Sequence, residues 1–127
     1  MPPQILIVDD DAKNRDVLVI LLKEQGVQSV PVASPLQLNK VLAEIDHLDA
    51  VFLDLEMPHM NGYDAFKLLK HYPVSQNVPV VAYTVHVSHV NAVQDAGFHS
   101  FLAKPIDPER FPEQLRCILN GQSVWEI

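Results

Sequence analysis

The chain contains little cysteine, glycine or positive charge. Its 127 residues include one cysteine, Cys117, which excludes an internal disulfide and a cage of thiolate metal ligands. Nine Lys and Arg residues stand against 16 Asp and Glu residues, and the formal net charge is −7. Because nucleic-acid-binding surfaces need clustered basic residues to neutralise phosphates, we expect no direct binding to nucleic acid.

Membrane insertion is not expected either. The stretch 74–94 carries no formal charge and is long enough to cross a bilayer. It contains several Ser, Gln, Asn and His side chains, however, and their transfer into hydrocarbon would be too costly. The amino-terminal residues show no basic region typical of a signal peptide, so we expect a cytoplasmic location.

The length predicts a single domain over residues 1–127, with a core at about 4–120, a short tail at 121–127 and no output domain. Apolar runs predict strands at residues 5–8, 28–32, 50–53, 78–83 and 98–103, and a helical pattern follows each run. Asp11 and Ser34 are expected to cap the first two helices. The fourth helix is expected over 85–96, and the fifth from Pro108. This alternation predicts an α/β fold in which helices cover both faces of a five-stranded parallel sheet.

The carboxyl ends of four predicted strands carry polar residues that suit one chemistry. Asp9 and Asp10 follow the first strand, Asp54 the third, Thr84 the fourth and Lys104 the fifth. In a parallel sheet these ends share one edge, where ligands bind. Three clustered carboxylates repel one another and suit a hard divalent cation such as Mg²⁺. A metal, a hydroxyl and an ammonium around Asp54 predict phosphoryl transfer, with Asp54 as the nucleophile that forms an aspartyl phosphate.

Four segments together are typical of one family. They are residues 5–11 (ILIVDDD), 53–62 (LDLEMPHMNG), 81–84 (VAYT) and 101–105 (FLAKP). Through these segments the sequence resembles, over nearly its whole length, the receiver domain of two-component response regulators. The resemblance implies a flavodoxin-like (βα)5 three-layer sandwich with the strand order 2-1-3-4-5.

The resemblance also implies roles for the residues at the strand ends. Asp54 would be the phosphoacceptor, and Mg²⁺, with Mn²⁺ as an alternative, would be bound by Asp10, Asp54 and the backbone carbonyl of Glu56. Asp9 would hold a metal-bound water. The chain would then catalyse only its own phosphorylation and dephosphorylation, and would not be an enzyme in any other sense.

A conformational switch and its partners are implied in the same way. Lys104 would contact the phosphoryl group, and Thr84 and Phe101 would form the switch pair. The phosphoryl donor would be a sensor histidine kinase or a histidine phosphotransfer protein. A downstream protein would bind the face of helix four, strand five and helix five, and a homodimer is left open. Helix four is rich in valine and uncharged before Asp95, which predicts low stability.

Two residues are expected to affect access to the site. Val85 follows Thr84, where the family usually has Ala, Gly or Ser, and its extra methyl groups would narrow the opening to Asp54. Glu56 adds a negative charge beside that opening, and its alternative role is to orient an attacking water, which would speed hydrolysis. We therefore expect slow phosphorylation by small anionic donors and a comparatively long-lived phosphate. The alternative is that Val85 packs inside the helix and leaves the opening unchanged.

Two other functions use similar residues. A haloacid-dehalogenase-like phosphatase also forms an aspartyl phosphate with Mg²⁺, and Asp9-x-Asp11 imitates its opening motif. That family expects Thr or Val where Lys13 stands, and a later acidic pair that strands four and five do not offer. Its nucleophile would be Asp9 rather than Asp54. A flavodoxin is the third alternative, but its phosphate-binding loop would not be triply acidic.

The remaining motifs concern the six histidines and the tail. His86 and His89 are spaced like half of a zinc site on the expected helix. No third ligand is near them in the sequence, so a surface location is the preferred interpretation. Trp125 in the tail would either dock a partner or fold back on the last helix.

Overall fold

The apolar runs of the sequence form a parallel sheet between two layers of helices. A computed structural model describes residues 2–58 and 60–126. In this part of the chain, no helix is both long and apolar enough to span a membrane. The strands are β1 Gln4–Val8, β2 Gln28–Val32, β3 Ala50–Asp54, β4 Glu56–Met57, β5 Met60–Asn61, β6 Val80–Thr84, β7 Ser100–Ala103 and β8 Trp125–Glu126. The helices are α1 Ala12–Glu24, α2 Pro35–Glu44, α3 Gly62–Leu69, α4 Val90–Ala96 and α5 Phe111–Leu119.

The large sheet confirms the predicted fold and adds one strand to it. Its order is β2-β1-β3-β6-β7-β8, and every neighbouring pair is parallel. Strands β1, β2, β3, β6 and β7 correspond to predicted strands one to five. Their arrangement in the sheet is the predicted order 2-1-3-4-5. The expectation of five strands is corrected, because β8, which lies within the predicted tail, pairs with β7 and places Trp125 opposite Phe101. A short strand here satisfies backbone groups that the β7 edge would otherwise leave unpaired.

The sheet is covered on both faces because its central strands are apolar on both sides. Alternate side chains of a strand point to opposite faces. Ile5 and Ile7 belong to a core with side chains from α1 and α5, whereas Leu6 and Val8 belong to a second core with α2, α3 and α4. Polar chemistry is therefore confined to the ends of the strands.

Local sequence explains where three of the helices begin. Asp11 accepts two backbone hydrogen bonds from the first turn of α1, Ser34 accepts one from α2, and Asn61 accepts one from α3. The predicted caps at Asp11 and Ser34 are thus confirmed. At Gly62, a Cβ atom would lie 2.6 Å from Cα of Leu55, so only glycine allows α3 to begin this close to the loop after β3.

The fourth and fifth helices begin later than predicted. The segment 85–96 starts with a non-helical stretch and a single 3-10 turn at Val87–His89, and α4 begins only at Val90. The physical reason is that the side chains of His86 and His89, which precede the 3-10 turn and α4, make no capping hydrogen bond. Residues 108–110 likewise form a turn before α5. Gly97, with φ of 96°, ends α4 as predicted.

Candidate functional site

The predicted site residues come together at the carboxyl edge of the large sheet. Asp54 and Thr84 are the last residues of β3 and β6, while Asp9 and Lys104 directly follow β1 and β7. These four strands lie side by side, so their ends are adjacent. Asp54, Thr84 and Lys104 line a cavity of about 200 Å³. It is lined by Asp10, Asp11, Asn14, Asp54, Glu56, Thr84, Val85 and Lys104.

Three carboxylates form the centre of the site. One oxygen from each of Asp9, Asp10 and Asp54 lies within 4.8 Å of the others. Asp9 and Asp54 are buried, whereas Asp10 is exposed to solvent. Oxygen ligands that are open to solvent on one side suit a hard divalent cation that keeps several waters. The donor set therefore fits the Mg²⁺ that the sequence predicts.

Asp9 is held by donors from four parts of the chain. Its Oδ1 accepts a hydrogen bond from the N–H of Asp11 at 2.9 Å. Its Oδ2 accepts from the hydroxyl of Tyr83 at 2.6 Å and from Nζ of Lys104 at 3.2 Å. Arg15 donates to the backbone carbonyl of Asp9 at 2.9 Å. A buried carboxylate requires hydrogen-bond partners, and the contacts of Asp11, Tyr83 and Lys104 fix the orientation of the Asp9 carboxylate.

Lys104 lies between two of the carboxylates. Its Nζ is 3.2 Å from Oδ2 of Asp9 and 3.5 Å from Oδ1 of Asp54. It also lies over the ring of Tyr83, 4.5 Å from the ring centroid. The side chain is only 12% exposed, so water screens its charge weakly. An ammonium in this position can offset negative charge that develops at Asp54.

Burial changes the acidity of Asp54. Removal of its carboxylate from water raises its pKa from 3.8 to about 6. Lys104 and the N–H of Glu56 act in the opposite direction, and this N–H donates to Oδ1 of Asp54 at 3.2 Å. Carboxylates with raised pKa values in a cleft are frequent at functional sites. A bound cation would favour the charged form that a nucleophile requires.

The expected switch residues lie on neighbouring strands. Thr84 is buried, and its hydroxyl oxygen accepts a hydrogen bond from the N–H of His86 at 3.2 Å. Its backbone carbonyl accepts from the N–H of Lys104 at 2.9 Å. Phe101 is fully buried in β7, where it pairs with Ala82 of β6. Thr84 is thus at the cavity, and Phe101 is one strand away in the core.

Glu56, Val85 and His86 lie at the rim of the cavity. Oε2 of Glu56 is 2.9 Å from Nε2 of His86, which connects the segment after β3 to the segment after β6. Val85 lines the cavity, lies outside α4 and is 62% exposed. The roles of Val85 and Glu56 in access remain predictions.

The histidine pair does not complete a metal site in the described part of the chain. The rings of His86 and His89 face each other, with centroids 5.5 Å apart and an interplanar angle of 23°. Among residues 2–58 and 60–126, the carboxylate cluster is the one group of three or more side chains arranged to hold a metal. His59 lies outside the described residues.

Two contacts in the site were not predicted from the sequence. Tyr83 is one more apolar residue in a strand pattern, and Arg15 is one of several polar residues in a helical pattern. Their contacts with Asp9 depend on which strand and helix lie beside β1. The sequence could have indicated the contact of Tyr83, because a buried tyrosine hydroxyl usually has a hydrogen-bond partner. Tyr83 lies near the end of β6, where the polar site residues are.

Comparisons with known sequences agree with this geometry. The family model of the response regulator receiver domain matches residues 5–116. The chain is 30% identical over 125 residues to the CAI-1 autoinducer sensor kinase/phosphatase CqsS of Vibrio cholerae, covering 96% of this chain and 17% of that protein. It is 31% identical over 122 residues to the DNA-binding response regulator MtrA of Mycobacterium tuberculosis, covering 94% of this chain and 52% of that protein. The chain thus spans about half or less of each relative.

The fold is also that of a solved receiver domain. The receiver domain of sensor histidine kinase PA1611 from Pseudomonas aeruginosa PAO1, with a magnesium ion coordinated in its active-site cleft, matches with a TM-score of 0.82 and 24% identity. The match covers 94% of this chain and 99% of that one. These findings do not favour a haloacid-dehalogenase-like phosphatase. The chain belongs to the family of response regulator receiver domains, the phosphoacceptor domains of two-component systems.

Proposed function

We propose that the chain accepts a phosphoryl group on Asp54 from a phosphohistidine of a partner protein. The observation that carries this proposal is the buried Asp54 carboxylate, which adjoins two other carboxylates and lies 3.5 Å from Nζ of Lys104. In the transfer, an Asp54 oxygen attacks phosphorus and the phosphorus–nitrogen bond breaks. The imidazole nitrogen keeps the electron pair and takes a proton from water. The donor is a sensor histidine kinase or a histidine phosphotransfer protein.

Asp10, Asp54 and the Glu56 carbonyl are proposed to bind Mg²⁺, with Asp9 holding a metal-bound water. The metal supplies positive charge that offsets the repulsion between an incoming phosphate and the carboxylates. The Thr84 hydroxyl accepts from a backbone N–H, so its own proton remains available to a phosphoryl oxygen. The oxygen donor set and the coordinated magnesium of the PA1611 receiver both support this assignment.

We further propose that Val85 and Glu56 limit access to Asp54. Both residues line the cavity of about 200 Å³, and the contact between Glu56 and His86 crosses its rim. A small anionic donor would meet an apolar side chain and a negative charge at this opening. Such donors should therefore react slowly.

The face of α4, β7 and α5 is the proposed binding surface for a downstream protein. β8 lies along β7, and the Glu126 carboxylate is 2.5 Å from the Arg110 guanidinium just before α5. A partner on this face would therefore also meet Trp125 and Glu126. In α4, Val93 is the buried residue and no side chain caps the first turn. Sparse burial supports easy displacement of this helix.

Intact mass spectrometry tests the phosphoacceptor. Wild-type protein incubated with acetyl phosphate and Mg²⁺ for a long period should gain one phosphoryl group, and omission of Mg²⁺ should prevent this gain. Asp54→Asn should gain none. Asp16→Asn is the matched control, because Asp16 is an exposed acid on α1 and does not line the cavity. A phosphoryl group on Asp54→Asn, or its loss only in Asp9→Asn, would contradict the assignment.

Amide hydrogen exchange tests the switch. Exchange in α4 should change when beryllofluoride and Mg²⁺ mimic the phosphoryl group, because Thr84 is drawn toward the mimic and Phe101 follows. The central residues of β1 serve as an internal control, since they are fully buried and β3 and β6 separate β1 from β7. Identical exchange in α4 with and without the mimic would contradict the mechanism.

A further inference from the structure

We infer that Tyr83 is a positioning residue that orients Asp9 and confines Lys104 in the phosphorylation site. This inference rests on the function proposed for that site. Tyr83 directly precedes Thr84 at the end of β6, and its side chain is buried. Its side chain contacts a carboxylate that follows β1 and an ammonium that follows β7.

The first contact is a short hydrogen bond to Asp9. The hydroxyl of Tyr83 lies 2.6 Å from Oδ2 of Asp9, a distance typical of a charge-assisted bond between a hydroxyl and a carboxylate. The phenol is the donor, because an ionised carboxylate only accepts. Asp9 is fully buried, so water cannot readily replace this donor. The bond therefore selects one orientation of the Asp9 carboxylate.

The second contact is between the Tyr83 ring and Lys104. Nζ of Lys104 lies 4.5 Å from the ring centroid, where an ammonium is attracted by the aromatic face. The ring itself is held edge-on to Phe52, with centroids 6.1 Å apart. Lys104 is thus placed over the ring, within 3.2 Å of Asp9 and 3.5 Å of Asp54.

Removal of the hydroxyl should change both neighbours. In Tyr83→Phe, Lys104 is the remaining side-chain donor among the described contacts of the Asp9 carboxylate, so its ammonium should move toward Asp9 and away from Asp54. Close to Asp9, the Lys104 ammonium would offset the negative charge of the Asp9 carboxylate, which the bound cation needs. Loss of an outer hydrogen-bond partner commonly weakens metal binding by about tenfold or more. We expect about a tenfold loss of Mg²⁺ affinity.

Mg²⁺ titrations followed by amide NMR shifts test the inference. The matched control is Tyr72→Phe, which removes a hydroxyl that donates to Asn39 at 3.1 Å outside the site. Tyr83→Phe should raise the dissociation constant about tenfold, and Tyr72→Phe should leave it unchanged. Equal Mg²⁺ affinity in Tyr83→Phe and wild type would overturn the inference. Because no phosphoryl transfer is needed, this result is independent of whether Asp54 is the phosphoacceptor.

Two further measurements separate positioning from a structural role. If Tyr83 had only a structural role, Tyr83→Phe would unfold at a lower temperature than wild type in the absence of metal. At temperatures below that unfolding midpoint, its Mg²⁺ affinity would equal that of wild type. In a Lys104→Met background, Tyr83→Phe should change the affinity less than it does alone, and an equal change in both backgrounds would overturn the role given to Lys104. If Tyr83→Phe does not fold, the wild-type hydroxyl proton remains a test. It should exchange slowly with water, and fast exchange would overturn the inference.

Discussion

The carboxyl edge of the sheet and its outer edge at β8 are held together by different forces. At the carboxyl edge, the buried carboxylates of Asp9 and Asp54 lie in close contact with the ammonium of Lys104, which is 12% exposed. At the outer edge, backbone groups dominate: the N–H of Phe101 donates to the carbonyl of Val124 at 2.8 Å. Buried like charges are unfavourable until a cation binds, whereas satisfied backbone groups need no ligand. The first edge should therefore respond to Mg²⁺, and the second should not.

A histidine extends the hydrogen-bond network of the outer edge. Nε2 of His99 is 3.1 Å from the carbonyl oxygen of Gly121, and its Nδ1 is 2.9 Å from Oγ of Ser100. With the proton on Nε2, the ring donates to the carbonyl and accepts from the Ser100 hydroxyl. The Ser100 oxygen then accepts from the N–H of Val124 at 3.0 Å. Each polar group in this chain of contacts has a partner without any ion.

The largest expected effect on stability is that of Asp54→Asn without metal. The pKa of Asp54 is raised from 3.8 to about 6 on folding, so the folded protein holds this proton more tightly than the unfolded chain. Ionisation therefore destabilises the fold as pH rises from about 4 to about 6, and the loss remains at higher pH. The variant avoids this loss. Its free energy of unfolding should exceed that of wild type by about 3 kcal/mol at neutral pH.

Urea unfolding in EDTA at pH 4 and pH 7.5 measures this difference. The advantage of Asp54→Asn should be small at pH 4 and large at pH 7.5. Asp16→Asn provides the control, because this exposed acid lies outside the carboxylate cluster. If Asp54→Asn exceeded wild type in free energy of unfolding by the same amount at both pH values, burial would not be the cause of a raised Asp54 pKa.

The next effect is the loss of Mg²⁺-dependent stabilisation in Asp10→Ala. At a Mg²⁺ concentration about ten times the dissociation constant, binding should stabilise wild type by about 1.4 kcal/mol. Asp10 is exposed, so its truncation should cost little packing while removing a ligand. Thermal unfolding with and without Mg²⁺ is the measurement, and Asp16→Ala matches the change in net charge. Undiminished stabilisation in Asp10→Ala would contradict the ligand assignment.

Trp125→Ala tests the outer edge of the sheet, where a change should affect stability but not Mg²⁺ affinity. Trp125 is half-buried and packs against the core that contains Phe101, so its truncation should destabilise the protein by about 1 kcal/mol. Mg²⁺ affinity should stay at the wild-type value, because β8 contributes no carboxylate to the cluster. Leu36→Ala, at a residue that is 84% exposed, should have almost no effect on stability. A weaker Mg²⁺ affinity in Trp125→Ala would mean that the two edges are coupled.

The same two edges differ in how far the sequence could predict them. Asp54 and Thr84 were predictable because a strand end follows from an apolar run, and parallel topology brings such ends together. β8 was not, since a two-residue strand has no periodicity and Trp125 has no local signal for pairing with β7. Tyr83 was recognised as a strand residue only, because its partner Asp9 is 74 positions away. Contacts that depend on the neighbouring strand require the packed structure.

The smallest expected effect tests whether the carboxyl edge also controls access. Val85 lines the cavity with Asp54 and Thr84 and is 62% exposed, so Val85→Ala removes two methyl groups from the opening without removing a ligand. A wider opening should admit both small donors and the water that hydrolyses the acyl phosphate. Both rates, followed by intact mass, should rise a few-fold while Mg²⁺ affinity stays nearly the same. Glu56 should affect the two rates in opposite directions. Its negative charge repels anionic donors and slows phosphorylation, whereas its carboxylate can orient an attacking water and speed hydrolysis. Val87→Ala, at an exposed position that does not line the cavity, is the matched control. If Val85→Ala left both rates at the wild-type value, Val85 would not control access to Asp54. The carboxyl edge would then differ from the outer edge only in its charged side chains.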